Sequence, residues 1–291
     1  MSSIRSSGQH TEQVLLCTYV RRSNGDQMRR ALIAVALLAV ALLAGCASVP
    51  SVTPEVRNEL ASTGKLRVGL ILSNQVLVSR DAQTGELRGV TVALGKVLAK
   101  ELGVPFDAVG YPNPAALVKS FGRNEWDIAF LAFDPDRAQE VDFSLPYMVV
   151  DNTYLIPSGS KLQSVEAADR AEIKIAVPER SAPDLFLSRN LKAAQIVRVP
   201  GGADAAIEVL RSGRADAYAE NAHMLSLYSE KLPGSRVLEG RYTVIQHAIA
   251  TPKGKAAAAQ YVMRFVQQSK ANGKIRDAIA DANLRRTSVA P

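Results

Sequence analysis

The chain has 291 residues, 47% of them hydrophobic and 22% charged, which excludes a fibrous or wholly disordered polypeptide and allows one large domain or two lobes. Its net charge of +7 comes without a Lys/Arg block interleaved with aromatics, so nucleic-acid binding has no support. Two cysteines, Cys17 and Cys46, exclude a multi-disulfide scaffold, and the fold must be held by its core.

Residues 1–27 are rich in Ser, Arg and Gln and have no hydrophobic period, and Met28 reads as an alternative start. Arg29 and Arg30 precede an apolar run over 31–44, too short to span a bilayer comfortably and of signal-peptide length. It ends in Leu43-Ala44-Gly45-Cys46, which resembles the lipobox of bacterial lipoproteins. That resemblance implies removal of residues 1–45, lipidation of Cys46 and attachment to a membrane by an acyl anchor. Residues 1–45 hold five basic and two acidic residues, so the remainder carries a mild charge of +4. Residues 46–63 read as a tether merging into a short helical piece, with Gly64 as its stop.

A first strand is predicted over 65–72, then a loop over 73–88 containing Asn74, an amphipathic helix over 89–103 and a strand over 104–109. Strand, helix and strand in that order predict a parallel sheet. Ala-Ala-Leu-Val-Lys-Ser-Phe-Gly-Arg-Asn-Glu-Trp-Asp-Ile at 115–128 is echoed by Ala-Ala-Ile-Glu-Val-Leu-Arg-Ser-Gly-Arg-Ala-Asp-Ala at 205–217. Each reads as a helix ending at Gly-Arg, then an Asp entering a strand, so the two lobes repeat one unit. The apolar run over 127–133 is a buried strand leading into Asp134-Pro135, the start signal of a helix. Arg137, one turn in, is then a cation at a helix N-terminus on a sheet edge, suited to a carboxylate or phosphate. The bland alternative pairs Arg137 with Asp134, Asp136 or Glu140 on a solvated helix. Further on, a crossing strand is expected over 149–156 and a strand over 173–177. Ser181-Ala182-Pro183-Asp184 is a capping pattern before a helix over 185–191. A second crossing strand over 242–250 and helices over 254–271 and 274–282 complete the chain. The expected division is 64–150 with 246–291 as one lobe and 151–245 as the other, a hinged ligand trap.

Six pieces follow one another in order: Gly64-Lys65-Leu66-Arg67-Val68-Gly69, the Ala-Lys-Glu-Leu-Gly helix end at 99–103, Trp126 to Phe133, Asp134-x-x-Arg137, Asp142-Phe143-Ser144 with Pro146-Tyr147, and Gly213-Arg214-Ala215-Asp216-Ala217. Together, over residues 62–282, they resemble the extracellular solute-binding proteins of family 3, the amino-acid-type receptors of ABC importers. The resemblance implies an α/β, two-lobed periplasmic-binding fold of type II that closes on a ligand, with an ABC permease as partner. It implies a monomer in the periplasm or cell envelope, lipid-anchored. By position, Arg137 matches the Arg that holds the ligand carboxylate, and Ser181 falls in the loop that meets the same group. Asn221 falls near the Asp that receives the ligand ammonium, and here the chain departs from the family. Glu220, its neighbour, is expected to point to the opposite face of an extended strand. Arg180 stands where a small residue is usual, Asp134 where Thr is usual, and Ala93 where the early helix carries an Asp. The expected ligand is therefore a small carboxylate-bearing, anionic or amino-acid-like solute.

Candidate ligand contacts are Arg137, Asp134, Ser181, Asn221, Asn74 and Tyr111, with Tyr111, Trp126 and Phe133 able to stack and Trp126 read as core. No cofactor or metal is expected: His223 and His247 have no ligand neighbour at useful spacing. No nucleophile–base arrangement or phosphate-binding Gly-rich loop is present, so the chain reads as a binding protein with no catalytic residue. Two alternatives remain: a cyclohexadienyl-dehydratase-like enzyme on the same fold, using Asp134, Asp184 or Glu220 as acid, or a sensor partner that feeds no importer.

Overall fold

The computed structural model describes residues 52–81 and 83–291; the expected signal segment, Cys46 and most of the expected tether lie outside the described residues. Helix α1 (Pro54–Leu60) is capped by the Thr53 hydroxyl and buries Val56 and Leu60. Its Glu59 carboxylate accepts the Ala258 N–H at 2.8 Å, so this stretch is part of the folded body.

Strand β1 (Leu66–Ile71) is buried along almost its whole length, and the short hairpin β2 (Ser79–Arg80) and β3 (Leu87–Arg88) follows it. Helix α2 (Val90–Leu102) packs Leu94, Leu98 and Leu102 inward and ends at Gly103, whose left-handed φ of 68° closes the last turn. Each of those leucines contributes roughly 1.5–3 kcal/mol through burial. Strand β4 (Phe106–Tyr111) pairs parallel with β1, as the strand–helix–strand order predicts. Helix α3 (Pro114–Lys119) then leads to β5 (Ile128–Ala132), parallel to β1 on its other side.

The second half repeats this pattern. Strand β8 (Lys174–Pro178) leads to α4 (Ala182–Asn190), β9 (Gln195–Val199), α5 (Ala203–Arg211) and β10 (Ala217–Asn221). Strand β8 lies between β9 and β10, parallel to both. Strand β9, and helix α6 (Ala222–Glu230) after β10, have no counterpart in the sequence expectation; β9 is short, and Gln195 and Arg198 interrupt its apolar residues.

Two long strands cross between the halves: β7 (Met148–Ile156) and β12 (Thr243–Pro252), which pair antiparallel from Thr243↔Asn152 to His247↔Met148. The sheet order is β4-β1-β5-β12-β7-β10-β8-β9, so each parallel half is finished by an antiparallel strand. This is the two-lobed architecture of the type II periplasmic-binding fold. Short strand β6 (Val141–Phe143) adds to β12, and β11 (Arg236–Val237) adds to β7. Helices α7 (Ala256–Ala271) and α8 (Lys274–Asp281) follow β12.

One expected element is different. The chain after Asp134-Pro135 forms a single 3-10 turn, Arg137–Gln139, not an α-helix. Residues 141–143 are taken immediately by pairing with β12, which leaves no length for a second turn. Among the described residues, no helix is long and apolar enough to cross a membrane.

Candidate functional site

The ends of β5, β8, β10 and β12 converge on one cavity of about 40 Å³, lined by Arg137, Ser181, Asn74, Asn221, Glu220 and His247 among others. Four of the six candidate contacts thus share one space. Asp134 and Tyr111 lie outside its lining.

Arg137 follows β5 and is only 5% exposed. Its Nη1 donates to the Ala132 carbonyl at 2.9 Å and its Nη2 to the Arg180 carbonyl at 2.7 Å. Its Nε–H is buried with no partner among the described residues. Burial pulls its pKa down to about 10, with Arg180 and Arg189 adding to the fall, so the group is still cationic at neutral pH. A dehydrated guanidinium lining a cavity is the group that a carboxylate meets best, in two parallel hydrogen bonds. The bland pairing with Asp134, Asp136 or Glu140 is not what the structure shows.

Asp134 instead bridges the two halves through Arg189. Its Oδ1 accepts the Asp136 N–H at 3.0 Å, and its Oδ2 accepts from Arg189 Nη2, on α4, at 2.5 Å. Asp136 adds a second contact to Arg189 at 3.2 Å. Tyr111 is buried and donates its hydroxyl to Glu125 at 2.7 Å.

Ser181 caps α4, its hydroxyl accepting the Asp184 N–H at 3.3 Å, as the Ser-x-x-Asp pattern predicts. Asp184 reaches back to the Arg180 N–H at 2.8 Å and pairs with Arg198 at 2.9 Å, which accounts for its charge away from the cavity. Arg180 itself has a φ of 55°, in the left-handed region that non-glycine residues seldom occupy. Trp126 is core, donating its indole N–H to Ser120 at 2.9 Å, while Phe133 is exposed.

The expectation for Glu220 is corrected. Glu220 and Asn221 both line the cavity, because β10 ends at Asn221, which turns the chain into α6 as its N-cap. The Asn221 Oδ1 accepts the Met224 N–H at 2.9 Å, and its Nδ2 donates to Glu220 Oε1 at 3.0 Å. Burial raises the Glu220 carboxyl to about 7, against two hydrogen bonds from Asn221 that lower it. His247, on β12, was seen in the sequence only as an unsuitable metal ligand. It is buried on the cavity wall with Nδ1 unpartnered, and burial, then the Arg137 charge, lowers its pKa to about 3. Among the described residues, no group of three metal-ligating side chains comes together.

A sequence profile of the bacterial extracellular solute-binding proteins, family 3, matches residues 66–281. The ABC transporter glutamine-binding protein GlnH of Bacillus subtilis is 23% identical over 252 residues, covering 82% of this chain and 91% of that protein. The P235GK mutant of ArgBP from T. maritima superposes with a TM-score of 0.67 at 23% identity, over 78% of this chain and 99% of that one. The ancestral amino acid-binding protein AncCDT-1, a precursor of cyclohexadienyl dehydratase, gives a TM-score of 0.65 at 26% identity, over 77% and 97%.

Proposed function

The chain belongs to the bacterial extracellular solute-binding proteins of family 3, and from that premise we propose that it is the lipid-anchored periplasmic receptor of an ABC importer. Its ligand is a small carboxylate-bearing or amino-acid-like solute, enclosed between a lobe of residues 64–150 with 246–291 and a lobe of 151–245. The observation that carries this reading is the buried Arg137 on the cavity lining, its Nε–H without a partner among the described residues. Ser181 and Asn74 complete the polar wall, while Asp134 and Arg189 draw the halves together. The relatives named for glutamine binding support an amino-acid-like ligand. Cys46, behind its lipobox, supplies the anchor, and Cys46→Ser should move the protein from the membrane to the soluble fraction.

Isothermal titration of the purified protein with the common amino acids and short carboxylates tests the reading. Saturable one-to-one binding by at least one is expected, and no heat from any of them overturns it. A second reading draws on Glu220, a cavity carboxyl held near neutral pKa, and on the likeness to a dehydratase precursor. Under that reading the chain converts a cyclohexadienyl acid to an aromatic product. Absence of new aromatic absorbance after incubation with such an acid decides for the binding protein.

A further inference from the structure

After α8 the chain returns to the junction of the halves. Strand β13 (Thr287–Val289) pairs antiparallel with β7 from Thr287↔Val150 to Val289↔Met148. The same stretch of β7 pairs with β12, so the crossing is three strands wide there. The far end of this segment is tied to the half built on β1. The Ala290 N–H donates to the Tyr147 carbonyl at 3.2 Å, and Ala290 is buried. Lys270 Nζ, on α7, donates to the Pro291 backbone oxygen at 2.5 Å.

Its near end is tied to the half built on β8. The Arg285 N–H donates to Nδ1 of His223, on α6, at 3.2 Å. The Arg286 guanidinium donates to the Gly240 carbonyl, and through Nε to Asp151 Oδ2 at 3.2 Å. Asp151 in turn donates its N–H to the Arg286 carbonyl at 3.1 Å and accepts from Arg241 at 2.8 Å. Arg286 has a φ of 51°, a conformation that a non-glycine residue keeps only where its surroundings over-determine it.

Rotation of one half against the other bends the crossing strands. Asp151 separates the part of β7 that pairs with β13 from the part that pairs with β10. A segment bonded on both sides of that point must give up His223 and Gly240, or Tyr147 and Lys270, before the halves part. None of these residues lines the cavity.

We propose that residues 285–291 are a clasp between the halves, which favours the arrangement with Arg189 on Asp134 and opposes opening when no ligand is bound. On the receptor reading above, the clasp slows both entry and release of the solute.

The test is small-angle scattering of the ligand-free full-length protein, Arg286→Ala, His223→Leu and the double variant. Arg276→Ala is the control, since its guanidinium meets Asp277 of its own helix at 3.1 Å. Expected is a larger radius of gyration in each single variant than in the parent, a larger one still in the double variant, and no change in Arg276→Ala. Melting curves separate opening from unfolding, and if the double variant is unfolded the two single variants decide by the same comparison. Equal radii of the parent and the folded clasp variants overturn the inference, as does equal expansion in Arg276→Ala. No ligand enters this comparison, so failure of every amino acid to bind would overturn the receptor reading and leave the clasp standing.

Discussion

The Arg137 guanidinium gives one N–H to the Ala132 carbonyl of its own half, which orients it before any ligand arrives, so less ordering is left to oppose binding. Arg137→Ala should therefore weaken ligand binding by roughly 2–5 kcal/mol, because a dehydrated anion loses its partner. Arg137→Lys should recover only part, since an ammonium cannot present the paired N–H edge; equal affinities of all three proteins would remove Arg137 from the site. The cavity groups also set a pH signature. The Glu220 pKa is raised from 4.5 to about 7, so the folded state binds the extra proton and stability falls as pH rises through that window. The His247 pKa is lowered from 6.5 to about 3, so the unfolded state binds the extra proton and stability rises with pH across its window. The two oppose each other where the windows overlap. Glu220→Gln should remove the loss toward pH 7 and above and leave the acid-side loss due to His247, as read from thermal melting against pH. An unaltered profile would contradict the assignment. Arg137 was legible from Asp-Pro-x-Arg and the Asp-Phe-Ser-x-Pro-Tyr context. Glu220 was not, because strand alternation stops applying where Asn221 turns the chain into a helix.

At the scale of elements, the echo between residues 115–128 and 205–217 has one physical cause. Asp127 donates its N–H to the Arg67 carbonyl at 2.9 Å, and its Oδ2 accepts the Arg67 N–H at 2.8 Å. Asp216 makes the same pair of contacts to Lys174, both at 2.8 Å. Each Asp sets its strand against the first strand of its half. Burial separates the two energetically. Asp127 is buried and also pairs with the Arg67 guanidinium at 2.7 Å, so Asp127→Ala should destabilise by about 3 kcal/mol. Asp216→Ala, half-exposed, should cost about 1 kcal/mol. Chemical denaturation of both variants checks the order, and equal losses would contradict it. This repeat, the Ser181 cap and the two crossing strands were legible because each depends on local residues. The single turn at Arg137–Gln139 was not, because pairing of β6 with β12, more than a hundred residues away, decides it.

At the scale of the whole molecule, β7 and β12 carry the connection between the halves, and side-chain contacts bridge them. Arg189 on α4 meets Asp134 and Asp136 beyond β5, and Arg137 reaches the Arg180 carbonyl beyond β8. The Arg189 side chain is 44% exposed, so solvent screens its pairs. Arg189→Ala should cost about 1 kcal/mol of ligand affinity, seen as faster dissociation with little change in association. Stopped-flow release would show it, and an unchanged off-rate would take Arg189 out of closure. The two-lobed frame was readable in the order of strands and helices. The Arg189–Asp134 contact was not, since the two residues lie 55 apart in the chain and only the fold brings them together. A hinged trap that closes on an anion held by Arg137 should become more compact with ligand only while Arg137 is present. Small-angle scattering of the parent protein and of Arg137→Ala, each with and without a saturating concentration of the best titrated ligand, tests it most directly. The account predicts that ligand lowers the radius of gyration of the parent and leaves that of Arg137→Ala unchanged; an unchanged radius in the parent, or equal compaction of the two proteins at equal ligand, would contradict it.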